Sequence, residues 1–235
     1  MFKKLLQLLK KIPWYGYVFA VCTIGFQSLV YMITGQINAG RADLLNSVNV
    51  KIPVIDDAFP FIPNSVLFYF CSFIFWGIGA LVASTCGKRH VINLSIGYFI
   101  CCVVGLMFFV FMPTYIDRVQ EGVLDIVRKP DGLNGLLLFL YNNDGGDVGV
   151  NLFPSFHCFV SMWWCLAVQF QKNIKRGYKF FTIAAVILIC VSTLTTKQHY
   201  ILDVFGGLGL AIIVYALIAW INPGKYIIKE KSETN

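Results

Sequence analysis

Charged residues are scarce in this chain, and apolar residues take their place. Of its 235 residues, 57% are hydrophobic and only 13% are Asp, Glu, Lys or Arg. In soluble globular domains roughly a quarter of the residues are charged, so this deficit excludes an ordinary soluble domain and indicates an integral membrane protein. The net charge of +7 requires no nucleic-acid partner, because basic residues that flank membrane spans and face anionic headgroups account for it.

Metal-binding spacings are absent as well. The sequence has no Cys-x-x-Cys pair and no cluster of histidine with cysteine, so we expect no bound metal, no cofactor and no disulfide framework. The run from Asn142 to Asp147 lacks the ligand spacing of an EF-hand loop and is predicted to be a turn. Asp56 and Asp57 lie in a proline-punctuated segment, where we expect solvated carboxylates rather than a cation site.

Apolar runs instead dominate the chain, and six of them approach the ~20 residues that cross a bilayer as a helix. We therefore predict an all-α, multi-pass membrane protein with a single domain over residues 1–235. A six-helix bundle is expected within residues 14–222, with loops at 35–65 and 113–150. The predicted spans cover residues 14–34, 66–84, 91–112, 152–170, 180–196 and 200–221.

Lysine and arginine concentrate on one side of this arrangement. Most of the nineteen basic residues precede the first span, follow the last, or lie in the loops after the second and fourth spans. The positive-inside rule makes that side cytoplasmic, so both termini are predicted inside and the loops 35–65 and 113–150 outside. Residues 1–13 are predicted to form an amphipathic interfacial helix, and residues 223–235 a cytoplasmic tail. The lysine-rich ends favour the cell membrane of a bacterium.

Histidine is rare, with three residues in the chain, and two of them stand in short polar strings. His157 ends the string Asn-Leu-Phe-Pro-Ser-Phe-His, and His199 lies in the string Lys-Gln-His-Tyr-Ile-Leu-Asp. In the six-span arrangement both strings, together with Arg118, lie at the outer ends of the spans. Ionisable residues at that depth are costly and usually functional. The strings therefore predict an active site at the extracytoplasmic face.

The second string suits nucleophilic catalysis. His199 and Asp203 are four residues apart, which places their side chains on one face of a helix. A carboxylate that binds one imidazole nitrogen leaves the other nitrogen as a lone pair, and it stabilises the cation formed when the ring is phosphorylated. A helix cap or an interhelical polar contact is the structural alternative for this pair, and the sequence leaves both open.

The first string supplies what a phosphoryl acceptor alone lacks. Ser155 precedes an apolar run and is predicted to be the N-cap of a helix whose amides face an anion. His157 can protonate a leaving alcohol oxygen. Lys197 and Arg118 can neutralise the phosphoryl oxygens, although either residue taken alone also fits an interfacial anchor.

Both strings match the pattern of a known family. Residues 153–157, Phe-Pro-Ser-Phe-His, resemble the Pro-Ser-Gly-His signature of the type 2 phosphatidate phosphatase superfamily. Residues 192–203 resemble its second signature, in which serine and arginine precede a histidine and an aspartate at the same spacing. The chain is most similar to the branch that includes bacterial membrane phosphatases and inositol phosphorylceramide synthases.

The resemblance implies a role for each motif residue. His199 would be the nucleophile, Asp203 its orienting partner, His157 the acid for the leaving group, and Ser155 a phosphate ligand. It also implies chemistry without a metal.

The chain departs from the family pattern at several positions. Phe156 replaces a glycine and Thr193 replaces an arginine, so Lys197 is predicted to supply the missing phosphate-binding charge. The family's first signature is not intact. Arg118 matches its arginine best by position, and Arg128 is the second candidate.

These residues predict a lipid-phosphate phosphohydrolase that forms a phosphohistidine from a membrane lipid phosphate or pyrophosphate. A lipid head-group phosphotransferase, in which an alcohol replaces water, uses the same residues and stays open as the alternative. A proton-coupled transporter is a remote alternative, because Asp203 is the one carboxylate within the predicted spans and proton relays use several.

Overall fold

The computed structural model of the protein describes residues 11–39 and 48–228. These residues are mostly helical, as predicted. Strand β1 (Tyr115–Asp117) pairs antiparallel with β2 (Val148–Val150), and a turn of 3-10 helix covers Pro63–Ser65. The helices are α1 (Trp14–Ala39), α2 (Pro53–Asp56), α3 (Val66–Ser84), α4 (Lys88–Phe111), α5 (Leu124–Val127), α6 (Asn134–Asn143), α7 (Phe156–Gln169), α8 (Arg176–Thr195), α9 (Ile201–Ile221) and α10 (Gly224–Ile227).

Within the described residues, α1, α3, α4, α8 and α9 are long and apolar enough to cross a membrane. They correspond to five of the predicted runs and confirm a helical membrane protein. The run 152–170 differs from its prediction, because α7 has 14 residues, roughly 21 Å of helix against about 30 Å of hydrocarbon core. It begins only after Pro154, where Ser155 is extended and caps the helix. A sixth full-length span is therefore not formed by this run.

Helix α7 lies at the centre of the bundle. It packs against α3, α8 and α9, and its side chains Phe159, Val160 and Trp163 are completely buried. A helix that its neighbours screen from lipid does not have to match the thickness of the bilayer, which accounts for its short length.

Close helix approach around α7 depends on glycine. A Cβ atom on Gly207 of α9 would stand 2.3 Å from the carbonyl oxygen of Ser155, and one on Gly79 of α3 would stand 2.7 Å from the Cβ of Trp164. Any residue larger than glycine at either position would clash with these atoms. These positions let α9 and α3 lie directly on the central helix.

The two ends of the bundle carry different segments. At one end, His90 Nε2 lies 2.8 Å from the carbonyl oxygen of Ala167, and Asn93 Nδ2 donates to Asn222 Oδ1 at 2.8 Å. These contacts join the start of α4 to the ends of α7 and α9, where the basic loops lie. At the other end, Tyr141 Oη donates to the carbonyl oxygen of Thr196 at 2.6 Å. The described parts of the two predicted outer loops therefore share one end with both histidine strings.

Some predictions concern residues that the structure does not describe. The interfacial helix expected over 1–13 lies almost entirely outside the described residues, as does the tail beyond residue 228. The described part of that tail forms α10, and the Gly224 N–H donates to Asn93 Oδ1 at 2.7 Å.

Candidate active site

The turn before α7 is organised by Thr114 and Ser155. Thr114 Oγ1 accepts hydrogen bonds from the N–H groups of Leu152 and Phe153, at 3.1 and 2.8 Å. Ser155 Oγ accepts the N–H of Cys158 at 3.4 Å, which makes Ser155 the N-cap that the sequence predicts. Ser155 is completely buried. The positive end of the α7 dipole therefore lies inside the protein, where it favours a negatively charged group.

Aromatic rings of α3 surround His157. The ring centroid of Tyr69 is 3.9 Å from that of the imidazole, Trp76 is 5.0 Å away and Phe73 is 5.6 Å away. His157 Nε2 is buried and has no hydrogen-bond partner among the described residues. The imidazole of His199 lies 6.5 Å from it, centroid to centroid. The tertiary structure thus brings the two predicted histidines close together, with their ring planes tilted by 49°.

A tight turn between α8 and α9 presents His199. Lys197 adopts a left-handed backbone conformation with φ of 49°, which is uncommon for a residue with a side chain. The Thr193 carbonyl accepts the N–H groups of Gln198 and His199, at 3.0 and 3.2 Å. The turn therefore reverses the chain within a few residues and leaves the His199 side chain buried at the start of α9.

Asp203 makes both of the contacts that the sequence leaves open, one with His199 and one that caps a helix. Its Oδ2 lies 3.6 Å from His199 Nδ1, although His199 precedes α9 and so does not share a helix face with Asp203 as predicted. The same oxygen accepts the N–H of Tyr200 at 2.8 Å and so caps α9. The Asp203 carbonyl accepts the N–H of Ser155 at 3.0 Å. The two strings are therefore joined directly through the backbone of Asp203.

The environment of His199 changes its acidity. Burial disfavours the charged imidazole, but the contact with the Asp203 carboxylate outweighs burial and raises the pKa of His199 above its ordinary value. At a given pH, a smaller fraction of His199 is therefore the neutral free base than for an ordinary histidine.

Arg118 lies inside the protein beside the His199 turn. Its Nη2 donates to Asp144 Oδ2 at 2.8 Å and to Gln198 Oε1 at 3.2 Å, and its Nη1 donates to the Gly146 carbonyl at 2.5 Å. The guanidinium carbon lies 4.1 Å from the centroid of the Tyr141 ring. Arg118 Nε is buried without a partner among the described residues. The guanidinium is thus held against Gln198, the residue that directly precedes His199 in sequence.

Arg128 and Asp144 have contrasting environments. Arg128 is exposed and pairs with the exposed Asp147 at 2.9 Å, away from the histidines. Asp144 is buried, and Tyr31 Oη donates a hydrogen bond to its Oδ1. Burial raises the pKa of Asp144 despite the opposing charge of Arg118. Of the two candidate arginines, Arg118 is therefore the one near the predicted site.

Lys197 points toward the segment before α3. Its Nζ donates to the carbonyl oxygens of Asp56 and Phe59, at 3.0 and 3.1 Å, and lies 3.9 Å from Glu121 Oε2. Its positive charge is thus engaged by protein oxygens. The predicted role of Lys197 in binding phosphate stays a prediction.

The adjacent carboxylates differ from each other. Asp57 is exposed and pairs with Lys51 at 2.7 Å, which fits a solvated carboxylate. Asp56 is only 3% exposed, so the expectation of solvation is wrong for it. Its Oδ1 accepts the N–H of Ile201 at 2.8 Å, and its Oδ2 accepts the N–H of Ile52 at 2.7 Å. Backbone amides, rather than water or a cation, satisfy this carboxylate.

Packing explains the departures from the family pattern. Phe156 occupies the core against Phe109, with centroids 4.8 Å apart, and Gly105 provides the space, since a Cβ there would lie 2.3 Å from the Phe156 ring. Thr193 is completely buried, and its Oγ1 donates to the Cys190 carbonyl at 2.8 Å. Thr193 therefore contributes no charge to the site.

Several buried polar atoms of the site have no hydrogen-bond partner among the described residues. An unpaired buried polar group costs about 1–3 kcal/mol, so a water, an ion or a role in catalysis is the usual explanation for one in a native structure. The nitrogens of His157, Gln198 and Arg118 can donate to the oxygens of an anion, whereas His199 Nδ1 faces the Asp203 carboxylate. The atoms are His157 Nε2, His199 Nδ1, Gln198 Nε2, Arg118 Nε and Asp203 Oδ1.

Sequence reasoning missed three residues that shape the site: Asp56, Gln198 and Asp144. Gln198 lies inside the second string, next to His199, and this position could have identified it from the sequence. Asp56 and Asp144 reach the site only through contacts between distant parts of the chain. Within residues 11–39 and 48–228, no group of three or more His, Cys, Asp or Glu side chains is arranged to hold a metal ion.

A family model described as the PAP2 superfamily matches residues 65–217, more than half of the chain. The matched region contains Arg118, Ser155, His157, His199 and Asp203.

One curated relative matches a shorter part of the chain. It is the inositol phosphorylceramide synthase catalytic subunit aur1 of Schizosaccharomyces pombe, 29% identical over 102 residues. The alignment covers 43% of this chain but only 23% of that relative. The comparison with solved structures gave no significant match.

Proposed function

The chain belongs to the PAP2 superfamily, and on that premise we propose that it is a metal-independent lipid-phosphate phosphohydrolase that works through a phosphohistidine. The observation that carries the proposal is the pair of imidazoles, 6.5 Å apart. His157 Nε2 is buried without a hydrogen-bond partner among the described residues, and His199 Nδ1 faces the Asp203 carboxylate, which leaves the other nitrogen of His199 for the substrate. The separation of the two rings is about twice the 3–3.5 Å of a near-attack geometry. A phosphoryl group between the rings would be within reach of both.

The first half-reaction transfers the phosphoryl group to His199. The free imidazole nitrogen of His199 attacks phosphorus while the bond from phosphorus to the lipid oxygen breaks. His157 donates its proton to that oxygen, and the dephosphorylated lipid leaves as an alcohol. Asp203, 3.6 Å from His199 Nδ1, stabilises the positive charge that develops on the ring.

The second half-reaction regenerates the enzyme. Water attacks the phosphohistidine, His157 accepts a proton from this water, and the bond between His199 and phosphorus breaks to release inorganic phosphate. Throughout, the N-terminus of α7 at Ser155 and the guanidinium of Arg118 bind the phosphoryl oxygens. Lys197 can add to this charge only if it exchanges its present carbonyl partners for the substrate.

We further propose that the active site faces the extracytoplasmic side of a cell membrane, with both termini in the cytoplasm. The grouping of basic residues at the opposite end of the bundle supports this orientation. The substrate is then a lipid phosphate or pyrophosphate that enters from the outer leaflet. In this arrangement α7, screened by its neighbours, is the sixth helix between the two faces.

Phosphate release from lipid phosphates tests the proposal. Purified protein in detergent, with chelator present, is expected to release inorganic phosphate from at least one member of a panel of phosphatidic acid, phosphatidylglycerol phosphate and polyprenyl pyrophosphate. His199→Ala should lose on the order of a million-fold in rate. His90→Ala is the matched control, because His90 contacts Ala167 at the other end of the bundle. Activity that requires added metal, or that survives in His199→Ala, would contradict the phosphohistidine mechanism.

A lipid head-group phosphotransferase is the second candidate function. Similarity to a relative named as an inositol phosphorylceramide synthase subunit favours it, as does the burial of His199, because a water-poor site protects a phosphohistidine from hydrolysis. The same assay, repeated with ceramide as the acceptor, separates the two functions, because the phosphoryl group then forms a phospholipid that differs from each donor in the panel. A new phospholipid in place of free phosphate indicates the transferase.

A further inference from the structure

Asp56 is a buried carboxylate that lies outside the region matched by the family model, which begins at residue 65. It is 3% exposed and contacts α9 through the Ile201 N–H at 2.8 Å. Because Ile201 is the first residue of α9, its amide is one of the four that a helix leaves unsatisfied at its N-terminus. Asp56 therefore provides one of the caps of the helix that carries Asp203.

Further contacts join the Asp56 segment to the His199 turn. Lys197 Nζ binds the carbonyl oxygens of Asp56 and Phe59. On the other side of the turn, the Ile62 N–H donates to the Thr195 carbonyl at 2.8 Å. The segment that precedes α3 thus holds the His199 turn at both ends, and Lys197 is held in its left-handed conformation.

Two carboxylates divide the N-terminal amides of α9 between them. Asp203 Oδ2 accepts the N–H of Tyr200, and Asp56 Oδ1 accepts the N–H of Ile201. Without Asp56, the free Ile201 amide would compete for the Asp203 carboxylate, since a charged acceptor at a helix N-terminus is drawn to unsatisfied amides. The carboxylate would then move away from His199 Nδ1, which it contacts at 3.6 Å.

We propose that Asp56 is a positioning residue of the active site, which caps α9 so that Asp203 stays available to His199, and that Lys197 anchors the Asp56 segment. The inference rests on the proposed function for the chemistry it supports. In this arrangement Lys197 binds the carbonyl oxygens of Asp56 and Phe59 instead of the substrate phosphate. Asp56 acts through α9 and does not touch the substrate, so its loss should affect the chemical step rather than binding.

Kinetics of matched variants test this role. Asp56→Ala is expected to lower kcat by about 10- to 100-fold, the effect of misplacing a catalytic group by about an ångström, with KM changed by less than about threefold. Asp56→Asn keeps an oxygen for the Ile201 N–H but cannot accept from Ile52, so its kcat should fall between those of Asp56→Ala and the wild type. Asp57→Asn removes the adjacent exposed carboxylate and should retain the wild-type kcat.

The kinetics of a Lys197 variant distinguish a positioning role from a role in binding the substrate. If the lysine anchors the Asp56 segment, Lys197→Met lowers kcat and leaves KM nearly unchanged. A rise in KM with kcat retained would mean that its ammonium binds the substrate phosphate, and would overturn this part of the proposal.

Amide hydrogen exchange gives a readout that does not depend on the reaction. The peptide that contains Ile201 should exchange about tenfold faster in Asp56→Ala than in Asp57→Asn, because a hydrogen bond to a charged acceptor is lost. Equal exchange in the two variants, or an unchanged kcat in Asp56→Ala, would overturn the proposal. Failure of the proposed function is distinguishable, since the wild-type chain would then release no phosphate while the exchange difference persisted.

Discussion

The two histidines of the site have different neighbours, and the neighbours suit different tasks. His199 stands beside the Asp203 carboxylate, which stabilises a positive or phosphorylated ring. His157 stacks on Tyr69, with ring centroids 3.9 Å apart, and has no carboxylate among the described contacts that hold its ring. At the scale of single residues, the two histidines thus differ in their surroundings, as the proposed roles of nucleophile and proton carrier require.

The pKa of His199 leads to a prediction about pH. Because the Asp203 contact raises this pKa above 6.5, kcat/KM should fall as the pH decreases through a value above 6.5, where the nucleophile becomes protonated. In Asp203→Asn the charge is removed, so the His199 pKa and the acidic limb should both move to lower pH. The maximum rate should drop roughly 10³- to 10⁴-fold, as in the aspartate variants of serine protease triads.

Nuclear magnetic resonance of carbon-13-labelled histidine measures this pKa directly. The chain contains three histidines, so His90→Gln and His157→Gln suffice to assign the His199 signal. A His199 pKa below that of a free histidine in the wild type, or no change in Asp203→Asn, would contradict the prediction.

At the scale of elements, the site depends on how closely α9 approaches α7. The Ser155 N–H binds the Asp203 carbonyl at 3.0 Å, and this bond requires the two helix starts to be adjacent. Gly207 makes the approach possible, since a Cβ there would lie 2.3 Å from the Ser155 carbonyl oxygen. The spacing between His157 and His199 is therefore set by helix packing.

Alanine substitutions at neighbouring glycines test this packing. Gly207→Ala should destabilise the protein by roughly 1–3 kcal/mol through overpacking, which corresponds to a Tm lower by on the order of 5 °C, and it should lower kcat by separating the helices. Gly209→Ala is the matched control, because a Cβ there meets nothing within 4 Å. Its Tm should change little or rise.

Thermal unfolding in detergent and phosphate release provide the two measurements. Equal Tm and equal kcat in Gly207→Ala and Gly209→Ala would show that the α7–α9 contact does not control the site.

At the scale of the whole molecule, the bundle has a basic end and an active-site end. His90 and Ala167 meet at the basic end, and His157 and His199 meet at the other. If the positive-inside rule applies, the basic end faces the cytoplasm. A lipid phosphate would then be processed in the leaflet away from the cytoplasm.

Cysteine labelling tests this orientation. In a background without the native cysteines, Asp131→Cys at the active-site end should react with a membrane-impermeant maleimide on intact cells. Lys172→Cys at the basic end should react only after permeabilisation. Both native residues are exposed, so the reagent can reach either position. The reverse pattern would place the active site in the cytoplasm.

Local patterns in the sequence were enough to predict much of this protein. Long apolar runs predict helices wherever they occur, because in a bilayer each backbone N–H and C=O must be satisfied within its own segment. Five runs became helices long enough to cross a membrane. The spacing between His199 and Asp203 and the cap at Ser155 depend only on neighbouring residues, and the structure contains both.

Tertiary structure decided what local patterns cannot encode. The length of α7 follows from its burial among other helices, not from the hydropathy of residues 152–170. Asp56 caps α9 from a position 145 residues earlier in the chain. Lys197 turns toward that same segment because its carbonyl oxygens are there to accept hydrogen bonds. Composition and residue spacing were thus enough to predict a helical membrane protein with two histidines in one site. Contacts between distant segments decided which charged side chains lie beside those histidines.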